Sequence, residues 1–126
     1  MPRPPDIAAL RARIWTAYKS LQPLLREMLH IRIFLRGSVY ELKTRCGKTS
    51  CVCMRGKLHR RWVLSESVEG HKRLRVLPQA QMELWRRRAD DYREFRQRRA
   101  QFFKTARRIL KDLDAIERAQ RRDFED

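Results

Sequence analysis

Cys46-Gly47-Lys48-Thr49-Ser50-Cys51-Val52-Cys53, followed by Gly56 and His59, gathers every cysteine of the chain and one of its three histidines into a single short stretch. The spacing is C-x4-C-x-C-x5-H. Thiolates and imidazoles in such density suit a tetrahedral zinc ion, and a site closed by three sulfurs and one nitrogen is structural, with no open position for water. An odd number of cysteines, two of them one residue apart, makes a poor disulfide framework and an acceptable metal framework in a reducing compartment. Cys46, Cys51, Cys53 and His59 are therefore the expected zinc ligands. His71 is the alternative fourth ligand, whereas His30 falls in a helical pattern. The plain alternative is a set of small buried thiols.

On the N-terminal side of this stretch, residues 38–45 alternate moderately and hold β-branched and aromatic side chains, which predicts a strand leading into Cys46. On the C-terminal side, Arg61-Trp62-Val63-Leu64-Ser65-Glu66 and Lys72-Arg73-Leu74-Arg75-Val76-Leu77 flank Glu69-Gly70, a hairpin signal. Alternation places Leu74 and Val76 on one face of that ribbon and Arg73 and Arg75 on the other.

Helical periodicity takes over at both ends. Asp6, after three prolines, has the side chain of a helix N-cap. From it run Ile7, Leu10, Ile14, Ala17, Leu21, Leu24, Met28, Ile31 and Leu35 in steps of three and four, the seam of a helix that pairs with another helix. Pro23 predicts a kink or break near residues 20–23, and Gly37 stands where a C-cap belongs. Pro78 opens a second stretch to about residue 122. Its seam is Met82, Trp85, Ala89, Tyr92, Phe95, Arg99, Phe102, Ala106, Ile109, Leu113 and Ile116.

The expected architecture is α+β: an antiparallel, coiled-coil-like helical hairpin carrying a small zinc-stabilised β-ribbon at its tip. Its parts are an N-terminal helical arm (1–36), a Cys/His metal-binding β module (37–77) and a long C-terminal helix (78–126). The second helix outruns the first, so its end is expected to pair with another copy or another protein.

The 126 residues carry a net charge of +16, with 31 Lys and Arg against 15 Asp and Glu. The excess is densest over residues 37–77, where ten cations face three acids. Such an excess without an amphipathic membrane helix favours a polyphosphate partner, double-stranded DNA first. Lys43, Arg45, Lys48, Arg55, Lys57, Arg60, Arg61, Arg73 and Arg75 are the expected phosphate contacts. No apolar run is long enough for a membrane span, and the first residues lack the apolar core of a signal peptide, so the chain reads as soluble and cytoplasmic.

Catalysis finds little support in the residues. Gly47-Lys48-Thr49 resembles the end of a phosphate-binding loop, but Leu42 stands where that loop needs its first glycine. Asp90, Asp91 and Glu94 lie among arginines, as a salt-bridged helix surface does. A non-enzymatic role is expected.

At Gly37-Ser38-Val39-Tyr40-Glu41, then Cys46-Gly47-Lys48, Cys51, Cys53, Gly56 and His59, the chain resembles a small uncharacterised prokaryotic family. That family is often associated with transposases and integrases. The resemblance runs from residue 37 to about 95, through the aromatic strand Arg61-Trp62-Val63-Leu64 and Val76-Leu77-Pro78 before the long helix. Thr49 replaces a usual proline, and Arg60-Arg61 replaces a Gly-Pro after the histidine. The resemblance implies an accessory role in mobile-element transposition and DNA recombination. Together these readings lead to a non-catalytic, zinc-stabilised DNA-binding accessory protein. A coiled-coil adaptor that grips a larger enzyme, and an RNA-binding protein, are the alternatives.

Overall fold

A computed structural model describes residues 5–45, 47, 48, 50, 56 and 58–124. The elements are α1 (Ile7–Met28), β1 (Gly37–Thr44), β2 (His59–Val68), β3 (His71–Leu77) and α2 (Gln79–Gln120). The chain divides into two compact units, Met1–Ile31 with Phe95–Asp126, and Arg32–Glu94.

The second unit is built on a three-stranded antiparallel sheet in the order β1-β2-β3. Its hairpin turns at Glu69 (φ 51°) and Gly70 (φ 81°), two successive left-handed residues. That is the geometry whose twist matches flanking strands. Gly37 opposes Glu66 and Thr44 opposes His59 across β1 and β2. Glu66 opposes Arg73 and Trp62 opposes Leu77 across β2 and β3. Because β2 is central, its adjacent residues Val63 and Leu64 point to opposite faces and are both buried. Leu64 forms the core with Leu35 and Ala89, and Val39, Leu77 and Trp85 pack around it. Ala89, 2% exposed, is small enough to let α2 lie close on the sheet. The segment before β1 docks on the same helix: the Leu35 N–H donates to the Arg88 carbonyl (3.1 Å), Arg32 pairs with Asp91, and the Phe34 and Tyr92 rings meet at 5.8 Å.

In the first unit, Asp6 caps α1 as its sequence predicts, its Oδ1 accepting from the Ala8 and Ala9 N–H groups at 3.0 and 3.3 Å. Ile7, Leu10, Ile14, Ala17, Leu21, Leu24 and Met28 are the less exposed residues of α1, and all its others are exposed. On α2 the less exposed positions from Phe95 onward include Arg98, Phe102, Thr105, Ile109, Asp112, Ile116 and Ala119. Asp112 takes an ion pair from Arg13 at 3.1 Å.

These facts correct the expected architecture. The chain forms a helix, a three-stranded antiparallel sheet and a long helix; it is α+β, and no antiparallel helical hairpin is shown. One reason lies at the end of α1. The helix stops at Met28, and residues 31–35, with two β-branched isoleucines, leave helical geometry to bring Leu35 into the sheet core. Another lies in α2, where the less exposed residues include Arg98, Thr105 and Asp112 while Arg99 and Leu113 of the expected seam are exposed, so that apolar seam is interrupted. Two smaller corrections follow: α1 runs unbroken through Pro23, and Gly37 begins a strand instead of ending a helix.

Candidate nucleic-acid interface

The pairing of Thr44 with His59 closes the base of the loop that carries the cysteines. Four described cations gather there. Lys43 ends the β1 ladder opposite Arg60, Leu42 opposes Arg61, and Arg45 follows directly on β1. Lys48, farther along the loop, is exposed, as are Arg45, Arg60 and Arg61. Alternation sends Lys43 and Arg60 to one face of the sheet and Arg61 to the other. The register thus places positive charge on both sides of the loop's base.

The clefts reflect this division. One is lined by Lys43, Gly56, Leu58 and Arg60, with a volume near 390 Å³. The other, near 300 Å³, is lined by Thr44, His59, Arg60 and Arg61. The cations are only lightly engaged. Arg60 reaches Glu41 at 3.5 Å while its side chain stays 67% exposed, and the Arg61 guanidinium donates to the Thr44 hydroxyl at 3.5 Å. Long, exposed contacts of this kind contribute little to stability and leave the guanidinium groups able to turn toward a phosphate.

Arg73 and Arg75 do not join this cluster. They oppose Glu66 and Leu64, about 20 Å and 13 Å along β2 from Arg60. They share the face of Leu64, at the rim of its core, where Arg75 Nε lies 3.8 Å from Glu66. Leu74 and Val76 occupy the other face and are 48% and 59% exposed. The single cationic surface expected from sequence is therefore divided in two by the strand register.

Cys46, Cys51, Cys53, Arg55 and Lys57 lie outside the described residues. Among the described residues, no group of three His, Cys, Asp or Glu side chains is placed to hold a metal ion. The fit of a zinc ion is tested by the donor set and by the loop's base. His59 is the first residue of β2, and Cys46 follows its register partner Thr44 by two residues. His59 thus stands beside Thr44, two positions before Cys46 in sequence, and three thiols with one imidazole are chemically a zinc set. His71 is a poor alternative. It opposes Val68, about 30 Å along β2 from His59. Cys51, seven residues past Thr44, extends at most about 25 Å from it.

Sequence reasoning missed the cations of α2 that cover tryptophans. The Arg86 guanidinium stands 5.4 Å from the Trp62 ring, and that of Arg88 stands 4.7 Å from the Trp85 ring. The spacing of Arg88 from Trp85 on one helix face was the available signal. Arg86 over Trp62 joins a helix to a strand, and nothing local in sequence indicates it.

Compared with protein-family models, curated proteins and solved structures, the chain matches none of them. Among the described residues, no helix is long and apolar enough to cross a membrane.

Proposed function

We propose that this protein binds double-stranded DNA through the cationic base of its cysteine loop, with zinc held by Cys46, Cys51, Cys53 and His59 to shape that loop, and that it serves without catalysis as an accessory to a recombinase or transposase. The observation that carries the reading is the gathering of Lys43, Arg45, Arg60 and Arg61 at the Thr44–His59 closure. Cations on both sides of a loop suit a phosphate backbone, which presents charge on both edges of a groove. A structural zinc supplies the energy that a short polar loop cannot obtain by burying apolar surface, and it performs no chemistry of its own. The link to recombination rests on the motif resemblance alone.

Fluorescence anisotropy with a labelled duplex, titrated from low to moderate salt, tests the DNA reading. Four to six phosphate contacts predict a log–log slope of about −4 to −5 by counterion release. Arg60→Glu with Arg61→Glu is expected to weaken binding at least tenfold. An affinity that barely changes with salt overturns the proposal, and a clear preference for RNA of the same length redirects it to the RNA-binding alternative.

A further inference from the structure

The charge of α2 changes along its length. Residues 79–95 hold four cations and four acids, and residues 112–120 hold one cation and three acids, whereas residues 96–111 hold seven cations and no acid. A surface that needs only to stay solvated intersperses the two signs, as the flanking parts of this helix do.

Four of the seven form one group. Lys104, Arg107, Arg108 and Lys111 follow one another at helical spacing, within about 100° of arc and about 10 Å of helix. All four are exposed. Each has two of the others three or four residues away, and like charges so placed destabilise a helix. Two acids lie within the same reach at the edges of the group. Asp112, four residues from Arg108, is buried and taken by Arg13 at 3.1 Å, and Asp114, three residues from Lys111, is exposed. Among the described residues, none of the four cations is held in an ion pair. Repulsion left uncompensated within the helix is relieved by an anionic partner, and a row of phosphates is one.

We infer that Lys104, Arg107, Arg108 and Lys111 form a second phosphate-binding surface, on α2, which holds duplex DNA independently of the cysteine loop. The inference takes its partner class from the DNA reading and adds a surface in the other unit. A duplex carries one negative charge per about 1.7 Å of its axis, so about 10 Å of helix meets phosphates enough for all four cations. Contacts of this kind position a duplex and do not read its sequence.

Fluorescence anisotropy with a labelled duplex, on the full chain carrying Arg60→Glu and Arg61→Glu, isolates this surface. The expected result is residual binding with a log–log salt slope of about −3 to −4. Adding Lys104→Gln, Arg107→Gln and Lys111→Gln is expected to weaken it about tenfold, with circular dichroism unchanged and a Tm no lower, since repulsion has been removed. Arg11→Gln, Lys19→Gln and Arg26→Gln on α1 remove as many exposed charges. They are expected to change affinity by about twofold or less, because charges away from the phosphates are screened. Equal losses from the two sets overturn the inference, since net charge then accounts for binding. A wild type that binds while the loop variant does not overturns it too, and leaves the loop reading standing. A loop variant that binds as tightly as wild type, and loses binding with the α2 set, removes the loop from the site and upholds the α2 surface. A wild type that ignores duplex overturns both readings. Tighter binding to phosphatidylserine vesicles than to duplex, lost with the same three α2 substitutions, overturns the inference and assigns the surface to a membrane.

Discussion

Gly37 begins β1 opposite Glu66 with no room for a methyl group, since a Cβ there would collide with the Ser65 carbonyl oxygen. Gly37→Ala must push β1 from β2, and a loss of about 1–3 kcal/mol is expected, the range of overpacked sites. Urea unfolding followed by tryptophan fluorescence measures it, Trp62 and Trp85 both lying in this unit. Leu64, 5% exposed, sits at the centre of the same core. Leu64→Ala is expected to cost about 2–5 kcal/mol by the same assay. In the other unit, Asp112 has 8% of its side chain exposed and its ion-pair partner Arg13 has 61%. Arg13, mostly exposed, is solvated in either variant, so the difference lies in volume: Asp112→Ala opens a gap, whereas Asp112→Leu fills the space with apolar volume. Thermal unfolding is expected to rank Leu above Ala at this position.

Among the elements, α1 was the most legible. Its seven less exposed residues are the seven that stand at steps of three and four from Ile7 to Met28. The strands and the Glu69–Gly70 turn were legible too, because alternation and a glycine at positive φ leave few choices. The stripe of α2 was not, and the reason is local. After Phe95, steps of three or four both reach arginine, at Arg98 and Arg99, and later choices lie between Thr105 and Ala106 and between Asp112 and Leu113. Reading for apolarity selects Leu113 over Asp112 and Ala106 over Thr105, whereas the protein buries Asp112 and Thr105, leaves Leu113 exposed and keeps Ala106 only half-buried. The hairpin was read, and its two-residue turn sets Arg73 against Glu66, away from the loop; the pairing of β1 with β2 escaped the sequence, because a long loop, with no tight turn, joins them. Pro23 offers a test at this scale. It lies inside an unbroken helix on an exposed face, where it removes a backbone donor and crowds the preceding turn. Pro23→Ala is expected to stabilise the protein by about 1–3 kcal/mol in thermal or urea unfolding.

For the whole molecule, the two units divide the work. Arg32–Glu94 brings cations and the cysteine loop to one end of a small sheet, and the ends of the chain supply helices, one of which exposes an apolar face. The pairing of Thr44 with His59 links fold to proposed function, since it closes the loop and gathers positive charge around it. The most direct measurement is zinc content by atomic emission on the purified full chain before and after chelation, with duplex affinity determined on the same samples at one salt concentration. The account predicts one zinc per chain and, on its removal, at least a tenfold loss of duplex affinity with the helical circular dichroism retained. A chain that takes up no zinc, or a stripped chain that binds duplex as tightly as the loaded one, would contradict it.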